Sequence, residues 1–243
     1  MQSVSQFQIR AANDIVGAYK DIHKWCILSA QMQSGKTDTF YLVAFELLRL
    51  DLITHVVVLS GSNELELKQQ VMDRTSFVIK YKNYLQHSHN LDSDQIDDVI
   101  EQFDNDTYFT YLWSNDIKKN INTKYHNTLF IWEESHFAQS LRQLPSMFLS
   151  GNGIYGNGSI NTNNLLLSVS ATGFSEHINL QYFKQAKKII TLHTGTEYFG
   201  VKEMMDKELM VPFSEFDMFD TIKRALVTHR DKPQYAVIRA ITH

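Results

Sequence analysis

The stretch ILSAQMQSGKTDTF, residues 27–40, sets a β-prone run against a helical one, with Gly35-Lys36-Thr37 at the joint. Trp25-Cys26-Ile27-Leu28 reads as a strand. Thr37 to Leu50 reads as a helix, because apolar residues recur at 40, 43, 44, 47 and 48. Between them, Ala30-Gln31-Met32-Gln33-Ser34-Gly35-Lys36-Thr37 follows the spacing G-x-x-x-x-G-K-[ST], with Ala30 in the place of the first glycine. In such a loop successive backbone N–H groups wrap phosphates, the lysine reaches the β/γ oxygens, and the hydroxyl serves Mg²⁺. The helix N-terminus behind it favours an anion. The plain alternative is a strand-to-helix turn that happens to contain a lysine, and residues farther along decide between the two.

Outward from this joint, short β-branched runs alternate with helical patterns. His55-Val56-Val57-Val58-Leu59 is a continuous apolar run, as in a strand covered on both faces. Asn63 to Lys80 reads as a helix with Asn63 as N-cap. Tyr108–Trp113, Thr128–Trp132, Leu165–Val169 and Lys188–Leu192 read as four further strands. The alternation predicts an α/β fold, a mostly parallel doubly wound sheet with helices on both faces. Residues 86–106 are acidic and polar and read as a solvated helix with its loops. Residues 150–164, packed with Gly and Asn, read as a long surface connection. After Thr194 the apolar runs thin until Tyr235-Ala236-Val237-Ile238. The expected organisation is therefore a first domain over 1–195, a connecting segment over 196–233, and over 234–243 the opening strand of a second domain.

The chain has 243 residues, and 43% of them are hydrophobic, enough for a substantial core. With 27 acidic against 23 basic residues the net charge is -4, which argues against a blanket basic coat for nucleic acid. A local groove needs only a few cations. The lone Cys26 excludes an internal disulfide and fits a reducing compartment. No window approaches the ~18 apolar residues of a membrane span, and the polar N-terminus lacks a signal-peptide core. A soluble intracellular protein, cytoplasmic or nucleoid-associated, is expected.

Downstream, Leu129-Phe130-Ile131-Trp132-Glu133-Glu134-Ser135-His136 puts paired carboxylates at the end of an apolar strand. Beside a phosphate loop, Glu133 would hold the Mg²⁺ hydration shell and Glu134 would orient and deprotonate the attacking water. Alone, such a pair also suits a helix N-terminus. Ser168-Val169-Ser170-Ala171-Thr172-Gly173 follows the next strand; by itself it reads as a capped turn. The three strings stand in order, each at the C-terminal end of a strand, where ligands of open α/β sheets gather.

Together these strings resemble the first, RecA-like motor domain of superfamily-two helicases and translocases, over roughly residues 5 to 195. AQMQSGKT stands as motif I, WEESH as a variant of the DEAH-type motif II, and SAT as motif III. Phe7-Gln8-Ile9-Arg10 resembles the Q motif, and Val57-Val58-Leu59-Ser60-Gly61-Ser62 resembles motif Ia. The resemblance implies ATP and Mg²⁺ as cofactors, with nucleic acid as partner, DNA in preference to RNA. It implies that Gln8 reads the adenine edge, that Gln33, Ser34, Gly35, Lys36, Thr37 and Asp38 bind the nucleotide, and that Thr37 and Glu133 serve the metal. Lys36, Glu134 and His136 would be catalytic, Ser170 and Thr172 would couple the sites, and Ser60, Gly61 and Ser62 would touch the nucleic-acid backbone. Glu133 stands where the family has Asp, one methylene longer. Motifs IV to VI, with the arginines that complete the ATP site, belong to the second domain, so the chain alone is expected to hydrolyse ATP poorly.

Asn115, Lys118 and Lys119 follow a strand end on the ligand-bearing edge and are further nucleic-acid candidates, equally readable as a solvated helix start. His87 and His89 lack a nearby third ligand for a metal. A nucleotide phosphotransferase and a non-motor nucleotide switch or assembly module are the competing readings.

Overall fold

A computed structural model describes residues 4–31, 34–60, 74–89, 91–104, 108–133, 135, 143–154, 162–170 and 187–193. The described elements all lie in the first of two compact units, Met1–Glu197; the second, Tyr198–His243, is outside the described residues, as are the expected connecting segment and the strand at 234–243.

The elements run α1 (Gln6–Lys20), β1 (Trp25–Ala30), α2 (Lys36–Arg49), β2 (His55–Ser60), α3 (Arg74–Ser88), α4 (Ser93–Asp104), β3 (Phe109–Leu112), α5 (Ser114–Lys119), β4 (Thr128–Glu133), α6 (Leu144–Gly151), β5 (Leu165–Ser170) and β6 (Lys187–Leu192). The six strands form one sheet in the order β3-β2-β4-β5-β1-β6, every neighbouring pair parallel. This is the α/β architecture expected, doubly wound about a parallel sheet, and it is consistent with a RecA-like domain.

Strand alternation divides the core in two. Cys26, Leu28, Val56, Val58, Leu129, Ile131, Leu165 and Leu167 face one cluster, which α1, α2, α3 and α4 cover. Trp25, Ile27, Val57, Leu59, Phe130, Trp132 and Leu166 face the other, closed by Ile117 of α5 and Phe148 and Leu149 of α6. Both faces are thus dry, which is why these strands read as unbroken apolar runs. Thr39 to Leu48 of α2 are all buried, because this helix is packed between the sheet and its neighbouring helices. Glu46 tolerates that position through a bidentate pair with Arg49 (2.7 and 3.0 Å) and the Tyr81 hydroxyl at 2.8 Å.

Several elements differ from the sequence expectation. α1 was legible only as the short string around Gln8, yet it is a 15-residue helix. Ser5 caps it, with the reciprocal Gln8 bond of a capping box, and Ala11, Ala12, Ile15, Val16 and Tyr19 form its buried stripe. The helix predicted over 63–80 continues to Ser88, and its first residues, 63–73, lie outside those described. The stretch 86–106 does contain a helix, α4, which buries Ile96 and Ile100 and leaves Asp94, Asp97, Asp98 and Glu101 exposed. Within 150–164, Asn152, Thr162 and Asn164 are buried rather than at the surface. Among the described residues no helix is long and apolar enough to cross a membrane.

Candidate nucleotide site

Because all strands are parallel, the segments that follow β1, β2, β4 and β5 emerge along one edge of the sheet. The register sharpens this. Leu28, Val169, Glu133 and Ser60 lie in one row across β1, β5, β4 and β2. Glu133 is therefore separated from the phosphate-loop strand by β5 alone, about 10 Å at ~4.8 Å per strand.

The loop leaves β1 at Ala30 and enters α2 at Lys36. Gly35 makes the turn with φ 84° and ψ 29°, in the left-handed region where a Cβ is strained. Its carbonyl accepts from Thr39 N (3.1 Å), Thr39 Oγ1 (3.0 Å) and the side-chain Nε2 of Gln8 (3.0 Å). Ser34 Oγ donates to the Gln31 carbonyl at 2.7 Å, closing the loop on itself. Lys36 and Thr37 open α2, half-buried, where orphan helix N–H groups face outward from the sheet edge. Asp38 is committed elsewhere: its Oδ2 pairs with Lys80 Nζ of α3 at 2.8 Å, tying the first turn of α2 to its neighbour. Gln33 lies outside the described residues.

Glu133 is the last residue of β4 and is 8% exposed. Glu134 and His136 lie outside the described residues, whereas Ser135 shows where the chain goes: its N–H and its hydroxyl both reach the Val169 carbonyl, at 3.1 and 3.4 Å. The acid-bearing string is thus fastened to the strand that carries the SAT string, a link the sequence did not disclose. Ser170 ends β5, fully buried and opposite Ser29, and Thr172 lies outside the described residues.

Hard oxygen donors suit Mg²⁺, which is commonly held through one or two carboxylates together with substrate phosphates and its own waters. A threonine hydroxyl at the start of α2 and a carboxylate at the end of β4 are such a set, so the residues present fit the ion.

The nucleic-acid candidates leave two neighbouring strands, β2 and β3, whose register sets Leu59 opposite Leu112. Asn115, Lys118 and Lys119 are exposed on α5. That helix follows β3, four strands from β1; the two strands are about 19 Å apart across the sheet. Ser60 is only 2% exposed, set against Glu133 in the sheet, which removes its side chain from the surface; Gly61 and Ser62 lie outside the described residues. His89 contacts Tyr84 Oη at 3.2 Å and faces Glu46 at 3.5 Å, on the side of α2 remote from the loop.

A groove of about 530 Å³ lies between α1 and β6, lined by Phe7, Arg10, Ala11, Asp14, Lys188, Ile189, Ile190, Thr191 and His193. Phe7 is 43% exposed there. Sequence reading singled out the Phe7–Arg10 string but not its β6 wall, because two segments so far apart in the chain meet only through strand pairing.

No family model matches the sequence, and no curated protein matches it. Among solved structures the chain is similar to the UvsW helicase from bacteriophage T4, at 14% identity and a TM-score of 0.46 over 77% of this chain and 59% of that one. It is also similar to the Pyrococcus furiosus Hef helicase domain, at 12% and 0.41 over 74% and 37%. The Phi-28 gp11 DNA packaging motor gives 9% and 0.43 over 92% and 69%. The chain therefore spans about three-fifths of the first protein and under two-fifths of the second. Likenesses at these scores say nothing about chemistry.

Proposed function

We propose that this chain is an ATP-binding motor domain of the helicase and translocase type, coupling nucleotide binding and hydrolysis to a grip on nucleic acid. What supports the reading above all is the alignment of the Gly35 loop and Glu133 on one sheet edge, one strand apart. The ordered EESH and SAT strings argue against a nucleotide phosphotransferase, which has no reason for that pair.

In this reading the triphosphate lies across the N-terminus of α2. Backbone N–H groups of the loop and the Lys36 ammonium neutralise it, and the base extends toward the groove beside Phe7. Thr37 and Glu133 would hold Mg²⁺, which supplies charge neutralisation on the β/γ oxygens when bound. Glu134 would accept the proton of the attacking water. Movement of the phosphate edge would reach nucleic acid through the row Glu133–Ser60 and through the Ser135 link to β5, since both connect the site to segments emerging from neighbouring strands. Asn115, Lys118 and Lys119 would meet phosphates at the far end of the same edge.

The test is to measure ATP affinity of the chain and of Lys36→Ala, then binding of single-stranded DNA, duplex DNA and RNA with and without ATP. Lys36→Ala should weaken ATP by ~1–3 kcal/mol, the scale of a charge-assisted contact. ATP should change nucleic-acid affinity, with nucleic acid changing ATP affinity by the same factor, and Lys36→Ala should need correspondingly more ATP to show it. Unchanged ATP affinity in Lys36→Ala would sink the phosphate-loop assignment. ATP binding with no response to any nucleic acid would favour a nucleotide switch.

A further inference from the structure

Gln8 lies on α1, outside the phosphate loop's own sequence, yet its amide is built into the loop. Oε1 accepts from the Ser5 N–H at 2.7 Å, and Nε2 donates to the Gly35 carbonyl at 3.0 Å. Both partners are backbone groups of fixed polarity. The amide therefore has one orientation, since turning it over would set donor against donor and acceptor against acceptor. Gln8 is 7% exposed, so water is a poor substitute for either contact.

The carbonyl that Gln8 holds belongs to the left-handed residue of the loop, and that residue's ψ determines where the Lys36 N–H points. A Cβ on Gly35 would collide with Gln8 Nε2, so the two positions are fitted to one another. Thr39 supports the same carbonyl from within α2, whereas Gln8 approaches from α1. Gly35 is thereby clamped between two helices.

We infer that Gln8 is a positioning residue for the phosphate loop: it holds the Gly35 turn in its phosphate-receiving conformation whatever base the nucleotide carries, and it does not select the base. The inference rests on the nucleotide-site reading above. It departs from the adenine-reading role that the family resemblance implies for this glutamine, because each end of the amide already bonds a backbone group, which sets the direction of its remaining N–H and lone pair without reference to any base.

The experiment compares the unaltered chain with Gln8→Ala and Gln8→Glu. Glutamate at this helix position keeps the capping box but cannot donate to the Gly35 carbonyl. Calorimetry gives the affinities for inorganic tripolyphosphate, ATP and GTP, each with magnesium, and hydrogen exchange reads the amides of residues 35–39 without ligand. In both variants all three affinities should fall together, about ten- to hundredfold, with the ATP-to-GTP ratio held within about twofold. Exchange at 35–39 should rise while β1 and β5 stay protected, and Gln8→Glu should keep the first turn of α1 protected. A loss confined to ATP would overturn the inference and make Gln8 a base reader. Unchanged exchange at 35–39 would also overturn it. Should the unaltered chain bind none of the three ligands, the nucleotide-site reading fails, and the exchange comparison still decides whether Gln8 holds the loop.

Discussion

Asn164, just ahead of β5, offers a sharp test of how the sheet is held in register. Its Oδ1 accepts from the Thr128 N–H at 3.0 Å, and its Nδ2 donates to the carbonyls of Tyr125 (2.8 Å) and Asn152 (2.9 Å). The residue is 5% exposed. Asn164→Ala strands the Thr128 N–H at the start of β4, a buried donor whose loss costs ~1–3 kcal/mol. The Tyr125 carbonyl adds about 1 kcal/mol, the net worth of an ordinary hydrogen bond. The Asn152 carbonyl adds little, since Thr162 Oγ1 still donates to it at 3.3 Å. The sum is about 2–4 kcal/mol. Urea unfolding with an m-value of roughly 2–3 kcal/mol/M should therefore show the midpoint falling by about 1 M at constant m. Asn164→Asp should be no milder, because it turns a carboxylate oxygen toward two carbonyls. Nucleotide affinity of the folded protein should not change, as Asn164 stands about 20 Å along β5 from Ser170 at ~3.3 Å per residue. A loss below ~0.5 kcal/mol for Asn164→Ala would refute the accounting and mean that water replaces the amide.

Two further outcomes bear on the site and the core. Glu134→Gln should keep ATP binding and abolish the hydrolysis, slow in this chain alone, that the unaltered chain shows with nucleic acid present, whereas Glu133→Gln should weaken the magnesium dependence of binding; the reverse pattern would exchange the two roles. Burial pushes the Cys26 thiol up to about 12, so a thiol reagent near neutral pH should label it only after unfolding. The stability held by this neutral thiol is whole below the unfolded thiol's ordinary range, about 8.5. It is lost as pH rises toward the folded value, and rapid labelling of the native chain would contradict the burial of β1.

Much of the chain could be read locally. Apolar runs bounded by turn residues located β1, β2, β4 and β5 to within two residues, because strands dry on both faces carry few polar residues to blur them. The Gly35-Lys36-Thr37 joint and the Glu133-Glu134 pair were legible for the same reason: each is a contiguous string whose chemistry depends on neighbours in sequence. α1 escaped notice although its signal was present, in Ser5 and Gln8 at capping-box spacing and in the stripe through Ala11, Ala12, Ile15 and Val16. The buried asparagines of 152–164 were missed because composition marks Gly and Asn as turn formers and is silent on whether their amides find partners.

What residue periodicity determines is which segments are strands and which face each residue takes, since both follow from the geometry of one chain segment. Strand order is different in kind. That β5 lies between the phosphate-loop strand and the acid-bearing strand depends on hydrogen bonds between residues more than a hundred positions apart, such as Leu28 and Val169. The same holds for Gln8 reaching Gly35 across 27 positions and for Tyr19 donating to the Leu166 carbonyl across 147. Such bonds form only once loop closure has been offset by burial of the whole core, so their partners are chosen by the packed structure and not by the residues beside them.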